Sequence, residues 1–278
     1  LLDNDEYIQL YHIKGGIQRI SDALTARVQA EIRLNHRALK IDRTGGKAYN
    51  LFYQAEGHDA EEEFDAVIIA LPNHWLGQLA WGSAKMREAI HSVLAHYDLP
   101  AHYFRVSMLF SKPWWEQFKL PGDFWMMEMF HGCCAYDESA RWRRGASDGH
   151  VLSFLLAGQD ALNMCSCNQD NVTIAKCVLD SLPVDWRTLA LDNLQEVQID
   201  SFAGSINAQP GGWPVEELRG EHTPEPEEHP GVSLVGDYFF DSTLNAAYIS
   251  ACIAVSETIK FLGKEPKDGT KAIVDLDS

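Results

Sequence analysis

Apolar positions first fall into a helical rhythm after Gly15-Gly16, where Ile17, Ile20, Leu24 and Val28 share one face and predict a helix. Ile32 to Leu34 and Ala38 to Ile41 read as short strands. Gly45-Gly46 supplies a turn, and Tyr49 to Tyr53 reads as the returning arm of a hairpin. The run Glu61-Glu62-Glu63 predicts a solvated face. Phe64 to Pro72 is an almost continuous apolar strand closed by proline. Such a strand is expected to be buried on both faces, which favours an α/β sheet.

The middle has a different texture. The pattern predicts a helix over 84–95 and strands over Phe104 to Phe110, Phe124 to Phe130 and Val151 to Ala157. A further helix is expected over 170–182, with Val172, Cys177, Val178 and Leu182 inward. Trp125-Met126-Met127 and Met129 make this region rich in large apolar side chains. They serve either as core or as the lining of an adaptable apolar pocket. The last third returns to an α/β look, with a buried strand from Gly231 ending in Gly236-Asp237 and a helix over Leu244 to Leu262. Two α/β ends around a different middle predict an inserted domain.

Composition narrows the function. The chain has 278 residues, 46 % hydrophobic and 23 % charged, as expected of a folded globular protein of one or two domains. A formal net charge of -17 without a basic stripe argues against a nucleic-acid partner. No apolar run reaches the roughly 18 residues of a membrane span. The six cysteines, including Cys133-Cys134 and Cys165-Ser166-Cys167, lack paired C-x-x-C spacing, and no H-E-x-x-H occurs. No bound metal is expected, and thiols in a reducing cytoplasm are. The sequence opens Leu1-Leu2 rather than with Met, so the native N-terminus is expected further upstream.

The candidate chemistry centres on the strand–Gly-Asp–loop–helix at Gly236-Asp237. A strand end and a helix N-terminus present backbone N–H groups, and the helix dipole favours negative charge there. That arrangement suits the N1 and C2 carbonyl edge of a reduced flavin, with Asp237 accepting bonds from ribityl or ribose hydroxyls. The same dipeptide also serves as an ordinary turn. His131, His222 and Asp237 invite a hydrolase reading, but no G-x-S-x-G elbow supports it.

Taken in order, several segments resemble the flavin-containing amine oxidase family over nearly the whole chain. These are Tyr11 to Gly16 with the following helix, Arg37 to Asp42, Phe64 to Pro72, and Gly231 to Ile259 with its VGDYFFDSTLNAAYISACIAV. The resemblance implies FAD as cofactor and a small-molecule substrate. It places Ala38 at the adenine ring, Pro72 at the cofactor-binding end of the Phe64 to Pro72 strand, and Gly236 and Asp237 at the pyrophosphate and ribityl chain. Leu244, Asn245 and Ala246 would offer backbone amides beside the flavin pyrimidine. Arg105 aligns with a lysine that holds a water near flavin N5, the alternative being a surface strand residue. Gly211, Gly212 and Trp213 match a loop facing the isoalloxazine ring.

The departures matter as much. The family's G-x-G-x-x-G turn is absent from the sequence, which implies a missing N-terminal FAD-binding segment supplied in cis or in trans. Thr243 stands where many members carry a tyrosine of the aromatic cage in the substrate pocket. The expected fold is therefore α/β: an incomplete FAD-binding Rossmann-like domain (1–73 and 225–278) with an inserted α+β substrate domain (74–224), a mixed sheet plus helices. The expected activity is FAD-dependent hydride removal from a C–N or C–C bond, and this chain in isolation is expected to be inactive. The alternatives are a polyene desaturase or isomerase of the phytoene desaturase type, and a non-catalytic subunit or fragment needing a separate G-x-G-x-x-G chain.

Overall fold

The computed structural model describes residues 13, 15–43, 45–46, 48–97, 100–120, 124–138, 149–207, 222–240 and 243–265. Along the chain they form α1 (Gln18–Thr25), β1 (His36–Arg43), β2 (Tyr49–Ala55), β3 (His58–Phe64), β4 (Val67–Ile69), α2 (Asn73–Leu76), β5 (Ala80–Trp81) and α3 (Ala84–Tyr97). Next come β6 (Pro100–Phe110), a 3-10 turn (Trp114–Phe118), β7 (Phe124–Met127), β8 (Cys133–Asp137), β9 (His150–Ala157), α4 (Gly158–Ser166), α5 (Asn171–Asp180) and α6 (Val184–Asn193). Then β10 (Leu194–Asn207), β11 (Val232–Leu234), a 3-10 turn (Asp237–Phe239) and α7 (Leu244–Phe261) complete the order. The chain divides into two compact units. One holds 35–103, 157–165 and 201–278, and the other 1–34, 104–156 and 166–200.

In the first unit β1, β2 and β3 form an antiparallel meander, and β5 joins the free side of β1 in parallel. The β2–β3 loop is two residues long. Glu56 and Gly57 have φ of 51° and 81°, the positive pair of the hairpin turn whose twist matches its strands. β4 and β11 lie side by side in parallel as a separate two-stranded sheet, Leu234 opposite Ile69. Their apolar residues meet those of β5, α2 and α3 in one core containing Ile69, Trp81, Ile90, Leu234 and Phe239. Tyr49 is fully buried there, and its hydroxyl accepts the Gly231 N–H at 3.0 Å. A Cβ on Gly231 would meet the Phe261 and Tyr49 rings at 2.6 and 2.7 Å, so close packing requires glycine at that position.

Several expectations need correction in this unit. Ile68 is 40 % exposed, so β4 is not buried on both faces: among the described residues no element covers the side that Ile68 faces. The Glu61-Glu62-Glu63 run is indeed mostly exposed, but it lies within an edge strand, β3, that its polarity concealed.

The second unit is built on the sheet β10-β6-β9-β8-β7. Register places Trp125, Ala135 and Phe154 in one cross-strand row, and Phe124, Tyr136 and Ser153 in the next. Side chains alternate across a sheet, so these rows mark opposite faces. The first face is the apolar one, where Cys133, Ala135, Leu152, Phe154, Leu156, Val106, Met108 and Phe110 are buried. Ile174, Ala175, Val178 and Leu179 of α5 are also buried, while Val172 is 66 % exposed and Cys177 is exposed, which corrects the helical face read from the sequence. Phe110, Trp114, Trp115, Phe118 and Trp186 form an aromatic cluster with centroid separations of 4.7 to 6.4 Å. The segment Ile32 to Leu34 is not a strand, and α1 buries none of its residues.

Candidate functional site

Parallel pairing of β4 and β11 brings three sequence-predicted residues to one edge. Val235 donates its N–H to the Ile69 carbonyl at 2.8 Å, continuing the ladder past both strands. Beyond it β4 runs into Pro72, the N-cap of α2, and β11 runs into Gly236 and Asp237. The carboxyl ends of parallel strands are where open α/β sheets bind ligands. Gly236 is extended (φ -179°), so its requirement is spatial: a Cβ there would clash with the Tyr238 ring. The Tyr238 ring is 1 % exposed, and burial raises its phenol pKa above the ordinary range.

A polar chain beneath this turn was not visible in the sequence. The Gly236 N–H donates to Ser250 Oγ at 3.1 Å, and Ser250 Oγ lies 3.0 Å from His222 Nε2. Ser250 and His222 are both fully buried, and the imidazole stacks on Phe239 at 4.4 Å. Burial pushes the His222 pKa down to about 4, so the ring is neutral near pH 7. Its Nδ1 has no hydrogen-bond partner among the described residues.

α7 starts at Leu244, eight residues after Gly236. Thr243 caps it, with Oγ1 accepting the Ala246 N–H at 3.1 Å. Leu244 is 61 % exposed and Asn245 is exposed, whereas Ala246 is buried in the core. The amides of Leu244 and Asn245 lie in the first turn, where no intrahelical acceptor exists, and Ala246 contributes its N–H to the cap. On β1, Ala38 is exposed beside a register shift between Ala38 and Lys40, a bulge of the kind found beside functional sites. Gly211, Gly212 and Trp213 lie outside the described residues.

In the other unit Arg105 stands on the sheet face opposite the apolar one. It is ion-paired with Glu138 and donates to Ser153 Oγ at 3.4 Å, and Ser107 Oγ lies 2.9 Å from Ser153 Oγ. Glu138 and Ser153 are buried and Arg105 is about one-third exposed. Phe124 stacks on Tyr136 on the same face, with centroids 6.2 Å apart. The sequence nominated Arg105 but missed Glu138, Ser107 and Ser153, because only sheet register brings β6, β8 and β9 together. Among the described residues no cluster of His, Cys, Asp and Glu has metal-site geometry, and no helix is long and apolar enough to cross a membrane.

The sequence matches the family model of flavin containing amine oxidoreductases over residues 1–259. The chain belongs to that family. No curated protein matches it in sequence. Among solved structures, a putrescine oxidase triple mutant from a structure-based redesign of cofactor binding has a similar fold, with a TM-score of 0.60 at 12 % identity. The match covers 87 % of this chain and 53 % of the putrescine oxidase chain, so this chain spans about half the length of that relative. The α/β fold of a flavin-containing amine oxidoreductase and FAD as its cofactor are thus established. The residues fit that cofactor: an acidic residue at a parallel strand end, and an 18-residue helix with an exposed first turn.

Proposed function

We propose that this chain supplies the Gly236-Asp237 turn, the α7 N-terminus and the substrate sheet of an FAD-dependent oxidoreductase of the amine oxidase type. It acts on a small molecule at a C–N bond of an amine or amino acid, or at a C–C bond. The single observation that carries this is the convergence of Pro72, Gly236 and Asp237 at the carboxyl edge of the β4–β11 pair, in a chain of a flavin-containing family. FAD, when bound, supplies the hydride acceptor. The Gly236 backbone meets the pyrophosphate at the strand end, Asp237 accepts hydroxyl hydrogen bonds, and the exposed first turn of α7 favours negative charge at its tip. Ala38 meets the adenine ring at the β1 bulge, while Thr243, Gly211, Gly212 and Trp213 belong to the substrate pocket. Arg105 is held by Glu138 and Ser153 in a fixed orientation, as a group that positions substrate or water must be. Residues 1–73 and 225–278 serve the cofactor domain, and 74–224 the substrate domain.

A strand–G-x-G-x-x-G–helix segment acts with this chain, in cis or in trans. Two observations support it: a parallel sheet with two strands among the described residues, and the exposure of Ile17 (60 %), Leu24 (58 %) and Val28 (49 %) on and beside α1. The six free thiols favour a reducing compartment, the cytoplasm. A second reading, a polyene as substrate, is favoured by apolar Phe124 and Met126 on the face that carries Arg105.

The test uses protein holding both segments. Asp237→Ala should lower flavin content after dialysis, since a hydrogen bond to a charged group is worth about 1.5–3 kcal/mol. Arg105→Met should keep flavin but slow its reduction or reoxidation. Unchanged flavin in the first variant and unchanged half-reactions in the second would refute these roles. Anaerobic bleaching by amines, amino acids or polyenes separates the substrate classes.

A further inference from the structure

The apolar face of the substrate sheet carries a cavity of about 650 Å³, a size typical of small-molecule sites. It lies between the edge strand β7 and the α5–α6 junction, and its walls include Leu120, Trp125, Met127, Leu182 and Trp186. Trp125 pairs with Ala135, in the row of Phe154 rather than that of Ser153, so the Trp125 and Met127 wall is on the face opposite Arg105 and Glu138, while Met126 reaches the lining from the other side of the edge strand. It is separate from the chemistry assigned above.

One wall is preformed. Trp186 stacks on Phe118 at 4.7 Å and meets Trp114 at 6.1 Å. The other wall is the methionine-rich edge strand, which adapts in shape. It ends in a strained turn: Phe130 and His131 have φ of 53° and 52°, two consecutive non-glycine residues in the left-handed region, followed by Gly132 at 116°. Strain of this kind concentrates where a ligand is clamped. Among the described residues Glu128 is the single ionisable one on the lining. Tryptophan faces attract cations, and the formal net charge of -17 concentrates them around the protein.

We propose that this cavity binds an apolar small molecule ending in an organic ammonium group, with the apolar body between Trp186 and the β7 wall and the cation at Glu128.

The purified chain, titrated calorimetrically with octyltrimethylammonium, octyl sulfate and octanol below their micelle concentrations, tests this without any cofactor. Saturable one-to-one binding of the ammonium is expected, tighter than that of octanol, with octyl sulfate weakest. Glu128→Gln should weaken ammonium binding about three- to fivefold, as for a partly exposed charge pair, and leave octanol unchanged. Ser181→Trp, at the exposed rim, should abolish binding of both by filling the cavity. Absence of saturable ammonium binding overturns the proposal. So does equal affinity for ammonium and sulfate, and so does ammonium binding that survives Ser181→Trp.

Discussion

Gly236→Ala probes the cofactor turn most sharply. Its backbone is extended, a conformation alanine adopts freely, so no dihedral strain is expected. The obstacle is the Tyr238 ring, which is 1 % exposed and wedged between Tyr97 at 6.0 Å and Phe239 at 4.7 Å. The ring has nowhere to retreat. Displacing the backbone instead would stretch the 3.1 Å bond from the Gly236 N–H to Ser250. Either response costs about 1–3 kcal/mol, the usual range for an added methyl in a filled core. Urea denaturation followed by tryptophan fluorescence reads this directly. The specific claim is coupling: in a Tyr238→Leu background, which empties part of that space, Gly236→Ala should cost at least about 1 kcal/mol less. Equal costs in both backgrounds, within about 0.5 kcal/mol, would refute the steric account of Gly236.

Other outcomes follow from neighbouring features. Thr243→Ala should destabilise by about 1 kcal/mol through loss of the α7 cap, while Thr243→Ser keeps most of it, both read by denaturation. Because burial lowers the His222 pKa to about 4, the unfolded chain binds this proton more readily than the fold. His222's contribution is then fully present above about pH 6.5 and is lost as pH falls toward 4, about 3 kcal/mol in all. His229 is shifted down by burial too, so stability profiles of wild type and His222→Gln are needed, and the variant should show the shallower acid slope. Burial lifts the Cys133 thiol to about 12, so a maleimide should label exposed Cys177 and spare Cys133 in the native protein.

Long periodic segments were legible in the sequence. α7 and β9 lie within a residue or so of the expected ranges, and α3 and β6 extend two and four residues beyond theirs, because each carries its own apolar period. β3 was not, since His58 to Phe64 is nearly all polar and becomes a strand only by pairing with β2. Apolarity alone turns Val172 inward, whereas the buried positions 174, 175, 178, 179 and 182 follow the helical repeat. The partners of Arg105 and of Gly236 were invisible for a shared reason. Glu138, Ser153, Ser250 and His222 are ordinary polar residues whose meaning comes from register and from a helix packing across a strand end.

The most direct measurement is the visible absorption spectrum of the purified chain, alone and then with a strand–G-x-G-x-x-G–helix segment supplied in cis or in trans. The account predicts a bound-flavin spectrum in the completed protein, diminished by Asp237→Ala. No bound flavin in either form would contradict a cofactor role for the Gly236-Asp237 edge.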